Sequence, residues 1–253
     1  MTQNPATTPD IPVPANRPLV GVFWMLVTGA CFIGVTALVK YMGPRLPSAE
    51  AAFLRYAMGL VFVLPILRSL LSTPVSKRQW GLFGLRGFFH AGGVILWFYA
   101  MTRLPIAEVT AMNYLAPIYV TVGAAIFLGE KLAARRIVAV CLGLAGAAII
   151  LRPGFREVST GHLAMLLAAV VFAGSYLLAK VLADEARPVM IVTMLSIFVT
   201  IGLAPFAFTV WITPTAQELL ILAGVAFFAT AGHFTMTLAF AAAPVTVTQP
   251  VTF

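Results

Sequence analysis

Apolar runs of about twenty residues, cut by short polar punctuation, follow one another along almost the whole chain. A helix of that length spans the hydrocarbon core of a bilayer. The pattern predicts eight of them, at about 19–39, 49–68, 81–101, 106–128, 133–151, 162–183, 188–208 and 217–238. Pro18, Pro105 and Pro188 stand where a first-turn proline loses no hydrogen bond, and Arg152-Pro153-Gly154 marks an exit. Strands of a closed barrel would alternate apolar and polar positions over about ten residues, and no such alternation is found. The expected fold is all-α, a polytopic integral membrane protein. Met1 to Arg17, rich in Thr, Pro and Asn and without an apolar centre, reads as a disordered cytoplasmic tail, not a secretory signal.

The pattern repeats. With residues 21–40 laid on 161–180, seven of twenty positions agree: Gly21/Gly161, Met25/Met165, Leu26/Leu166, Phe32/Phe172, Gly34/Gly174, Leu38/Leu178 and Lys40/Lys180. The same offset pairs Pro65 with Pro205, and one residue less pairs Phe88/Phe227, Phe89/Phe228, Gly93/Gly232, Ala100/Ala239 and Pro105/Pro244. Matched glycines, prolines and a lysine are harder to obtain by chance than matched leucines. The expected organisation is a first repeat over 18–154 with spans 1–5 and a second over 155–253 with spans 6–8 and the start of a ninth. Five spans is an odd number, so the second repeat enters the membrane from the opposite side. Inverted repeats around a midplane site are a recurring architecture of secondary transporters. The second copy stops at Phe253, the partner of Tyr114, and about ten residues are too few to cross the hydrocarbon. The expectation is a fragment or truncated form of a ten-span protein, its last segment disordered or open to protease.

Lysine and arginine in the loops set the orientation. With the N-terminus in the cytoplasm, the inner side carries Arg17, Arg68, Lys77, Arg78, Lys131, Arg135, Arg136, Lys180 and Arg187, against Lys40, Arg45, Arg103, Arg152 and Arg156 outside. The excess favours an inward N-terminus, in the cytoplasmic (inner) membrane if the source is bacterial. Composition agrees, with 61% hydrophobic and only 9% charged residues, too few to cover a soluble globule. The net charge of +8 does not point to nucleic acid, because its basic residues are scattered at the ends of apolar runs. Cys31 and Cys141 lie inside apolar stretches and read as buried thiols, not a disulfide or metal site.

The stretch from Arg86 to Gly154 carries a family resemblance. Its parts are the Arg-Gly opening of span three, Leu104-Pro105-Ile106-Ala107-Glu108 before span four, Pro117 within it, Leu128-Gly129-Glu130-Lys131 after it, and the Leu151-Arg152-Pro153-Gly154 exit. The chain resembles the EamA-type branch of the drug/metabolite transporter superfamily, and the arginine-bearing second span fits the same likeness. The resemblance implies a ten-helix secondary transporter of two inverted five-helix halves, moving metabolites such as amino-acid derivatives, nucleosides or toxic amines by alternating access.

Ionisable groups inside hydrocarbon are costly and mark functional candidates. Arg55 lies about six residues into span two and Arg86 about as deep into span three; each either snorkels to the headgroups or lines a central cavity, attracting an anionic group or fixing a gate. His90, four residues after Arg86 and on the same face, is either a structural histidine or a proton relay for coupling. Glu108 opens span four, where an acid also complements the helix N-terminus. Pro117 kinks that span and frees the carbonyl of Asn113, with Tyr114 beside it as a second polar handle. His233 and Gln249 are the candidates of the second half. Glu130 and Lys131 read as interfacial anchors, and Ala139, Gly143 and Ala147 as a small-residue stripe for internal packing or a homodimer face.

The expected partners are the lipid bilayer and a small-molecule solute, with no cofactor and no nucleic acid. No GxxxxGK[ST] loop is present for ATP-driven pumping, and no HExxH, nucleophile–base pair or mid-depth carboxylate pair for an intramembrane enzyme. The competing readings are a non-transporting receptor or assembly subunit and an inactive truncated transporter.

Overall fold

The computed structural model describes residues 17–71, 74–130, 134–151 and 158–252. The expected tail up to residue 16, Lys131 and the Arg152-Pro153-Gly154 exit lie outside the described residues, as do the side chains of Ala139 and Ala147.

Every described element is a helix: α1 (Pro18–Met42), α2 (Ser48–Leu71), α3 (Lys77–Met101), α4 (Ile106–Asn113), α5 (Leu115–Phe127), α6 (Ala134–Leu151), α7 (Thr160–Ala183), α8 (Pro188–Thr209), α9 (Ala216–Ala242) and α10 (Val245–Thr248), followed by a 3₁₀ turn over Gln249–Thr252. Six are long and apolar enough to cross a membrane among the described residues: α1, α3, the pair α4–α5 taken together, α7, α8 and α9. Two of the eight predicted spans, α2 and α6, are helices but fall outside this set. Both are long enough to span the hydrocarbon, at 24 and 18 residues, but several of their side chains lie outside the described residues.

Local chemistry places the ends. Pro18 and Pro188 open their helices, where a missing N–H goes unused. Ser76 with Gln79 and Thr215 with Glu218 form capping boxes that start α3 and α9. The predicted kink at Pro117 is a break: α4 ends at Asn113 and α5 begins at Leu115. Proline offers no N–H to the Asn113 carbonyl, and the Tyr114 amide tightens instead onto Ala111 O at 3.2 Å.

The bundle is held by crossed, antiparallel pairs. The most extensive contacts are α1 with α9, α3 with α7, and α2 with α8. The glycines matched in the sequence lie in these seams. A methyl group on Gly93 would sit 2.7 Å from the Phe172 ring, and one on Gly232 would sit 3.0 Å from Phe32. Gly34 faces Phe228 and Gly174 faces Phe89; Gly21 abuts Ala243 and Gly161 abuts Leu104. At Gly21, Gly93 and Gly161, where a methyl group would come closer than 3.0 Å to a neighbour, only an absent side chain lets the helices approach this closely.

Three expectations change. The segment 245–252 is not exposed: Val245, Thr246, Thr248 and Gln249 are buried, wedged between α1 and α5. Glu130 is no mere interfacial anchor, since its carboxylate accepts from the Val245 and Thr246 amides at 3.1 and 2.9 Å and holds the start of α10. Cys31 is half-buried and Cys141 exposed, so neither thiol is a core residue.

Candidate functional site

Halfway along the bundle the seams enclose a cavity of about 340 Å³, within the size range of small-molecule sites. The aromatic residues dictate its shape. Phe172 and Tyr176, one turn apart on α7, stack with their ring centroids 5.9 Å apart and planes 10° from parallel. Next to them the imidazoles of His90 on α3 and His233 on α9 meet edge to face at 4.9 Å. Phe32 on α1 closes on His233 at 5.3 Å, and Tyr56 on α2 on His90 at 5.9 Å. The six rings come from five helices, and the two histidines lie where α3 and α9 converge.

Of the eight residues singled out in the sequence, Arg55, His90, Asn113, Tyr114, Pro117 and His233 line this cavity. Gln249, the further candidate of the second half, lines it too and is buried. The break between α4 and α5 explains three of these placements, because it presents Asn113, Tyr114 and Pro117 together at the wall. His90 Nδ1 is 3.0 Å from Ser175 Oγ of α7, a buried pairing that orients the ring.

Arg86 and Glu108 are elsewhere. Arg86 is fully buried, and its Nη1 donates to the Ile191 carbonyl of α8 at 2.9 Å. Neither Arg86 nor Arg55, at 6% exposure, reaches out to headgroups; both remain within the bundle. The snorkelling reading therefore falls. Glu108, in the first turn of α4, lies 2.9 Å from His162 Nε2 of α7. Because His162 Nδ1 accepts the Ser159 amide at 3.0 Å, Nε2 carries the proton and donates it to the carboxylate. Glu108 ties two helix starts together.

Sequence reasoning missed the aromatic wall. Phe32, Trp97, Phe98, Phe172 and Tyr176 all line the cavity, yet in a chain with 19 phenylalanines no single ring stands out. The Phe32/Phe172 match was a usable signal. Two polar ties were equally hidden. Arg45 and Glu218 pair at one end of the bundle, and Arg78 and Glu185 pair at the other. Among the described residues, no group of three or more His, Cys, Asp or Glu is arranged to hold a metal.

Residues 19–152 match the EamA-like transporter family. The chain belongs to that family. This EamA-like protein is 30% identical to a riboflavin transporter of Vibrio cholerae over 93% of its own length and 80% of the relative's. A riboflavin transporter of Rhizobium johnstonii is 32% identical over 95% of this chain and 81% of the relative. An S-adenosylmethionine uptake transporter of Rickettsia bellii is 26% identical over 80% and 70% respectively. A solved crystal structure, 17% identical, superposes with a TM-score of 0.70 over 91% of this chain and 82% of its own, which shows a shared fold. The EamA-like chain is thus a multi-pass integral membrane protein and a small-solute transporter, not an enzyme.

Proposed function

We propose that this transporter is a secondary carrier of a flat, conjugated heteroaromatic metabolite of the riboflavin kind, working by alternating access. The observation that carries the reading is the central cavity, walled by rings from several helices and about 340 Å³ in volume. Stacking and edge-to-face contact favour a planar conjugated solute over an aliphatic one. The names of the two riboflavin transporters reported above point to the same class.

In this reading Arg55, His90, Asn113, Tyr114, Pro117 and His233 contact or gate the solute, while Arg86 and Glu108 position the helices around it. The two repeats form inverted halves, 18–154 and 155–253, with eight spans and the start of a ninth. The crossed packing of matched residues supports that arrangement: Gly93 with Phe172 is mirrored by Gly232 with Phe32. Rocking about this seam would alternately part the Arg45–Glu218 tie and the Arg78–Glu185 tie at the two ends. The loop charges support a cytoplasmic N-terminus in the inner membrane.

The test is counterflow of riboflavin in proteoliposomes holding the whole chain. Saturable uptake, competed by lumichrome and quickened by riboflavin preloaded inside, is the expected result. Uptake of S-adenosylmethionine without any flavin uptake would overturn the flavin assignment.

A further inference from the structure

We propose that Arg55, lying over the Tyr56 ring, forms a subsite for an anionic group, so that the solute carries a carboxylate or phosphate. This rests on the cavity as the transport site and adds the charge of what it holds.

A guanidinium withdrawn from water loses hydration that only hydrogen bonds and an opposite charge replace. Arg55 and Arg86 are both withdrawn, at 6% and 0% exposure. Several of their donors are nevertheless unused: Arg55 Nη1, Arg86 Nε and Arg86 Nη2 are buried without a hydrogen-bond partner, and the neighbouring Tyr56 hydroxyl has none either. Arg86 makes its single bond through Nη1 to Ile191 O. Arg55 lies over the Tyr56 ring, 4.0 Å from its centroid.

The carboxylates of the described residues are engaged elsewhere. Glu50 accepts from the Ile212 amide through Oε2, its Oε1 buried without a partner, Glu108 meets His162, and Glu130 holds the Val245 and Thr246 amides. Asp184 takes Lys180, Glu185 takes Arg78 and Glu218 takes Arg45. Among the described residues, no ion pair compensates the two guanidiniums. Arg55 is the one of the two that lines the cavity, so the missing partner is a group that enters there. A planar fork of N–H donors suits the paired oxygens of a carboxylate or phosphate.

The experiment measures binding by Trp97-region fluorescence and thermal shift on the whole chain in phosphatidylcholine nanodiscs. Two neutral/anionic pairs are compared: riboflavin with its 5′-phosphate, and adenosine with its 5′-monophosphate. At least one anion should bind about ten- to a hundredfold tighter than its neutral partner. Arg55→Gln should erase that preference and Arg55→Lys should keep part of it. Unliganded Arg55→Gln should melt no lower than the parent, because an uncompensated charge has been removed; a structural role would lower the midpoint. Equal binding of both pair members, or an anion preference that survives Arg55→Gln, overturns the subsite. Riboflavin bound without regard to Arg55 would overturn the subsite and leave the flavin reading intact. Adenosine monophosphate bound through Arg55, with neither flavin bound, would uphold the subsite and end the flavin reading. Repeating the measurement with phosphatidylglycerol present guards the assignment. Loss of the anion preference there would give the site to a lipid headgroup and overturn the solute claim.

Discussion

Lys40 and Lys180 show how single side chains hold this bundle. Lys40 Nζ donates to the carbonyls of Met101 and Leu104 at 3.3 and 2.9 Å, at the end of α3. Lys180 Nζ donates to Phe240 O at 3.1 Å, near the end of α9, and to Asp184 at 2.9 Å. The last carbonyls of a helix have no intrahelical donor, and a cation there also meets the negative end of the helix dipole. Replacing either lysine by methionine removes that donor and keeps the apolar stem. Each variant should lose about 1–2 kcal/mol of stability, read as a lower thermal midpoint in detergent. The matched lysines were visible in the sequence, but their acceptors were not. Which carbonyls a lysine reaches depends on how far α1 and α7 slide along their neighbours.

At the scale of elements, small residues decide how closely helices approach. Gly87 on α3 faces α8 so tightly that a methyl group there would lie 2.4 Å from Phe198 Cβ. That carbon is anchored to the backbone and has little room to yield. Gly87→Ala should therefore destabilise by about 1–3 kcal/mol through overpacking, measured by thermal unfolding, whereas Gly81→Ala, with open space around it, should not. Apolar period and turn chemistry were enough to locate the helices, including the start of α8 at Pro188 and the disturbance at Pro117. They missed the packing of 245–252, because a window of sequence carries no information about what covers it.

For the whole molecule, the arrangement of the two repeats is the point on which transport turns. If they are inverted, residues at matching ends of α1 and α7 face opposite compartments. Tyr41→Cys and Arg187→Cys, each placed in a background lacking Cys31 and Cys141, should react with an impermeant maleimide from opposite sides of the membrane. Labelling of both from one side would remove the basis for alternating access. The crossed seams give this expectation its physical content, since Phe32 and Phe172 each fill the space left by a glycine of the other repeat.

The sequence by itself determined the solvent and the secondary structure. With 61% hydrophobic residues in runs of helical length, lipid is the medium and every backbone group must be satisfied within a helix. It also marked Arg55, His90, Asn113, Tyr114, Pro117 and His233, because polar groups in apolar runs are rare enough to notice. Only the tertiary structure brought these six to one cavity, set Arg86 and Glu108 apart from it, and revealed the aromatic wall. The reason lies in distance along the chain. His90 and His233 meet at 4.9 Å only because α3 and α9 converge, and no local pattern encodes that meeting.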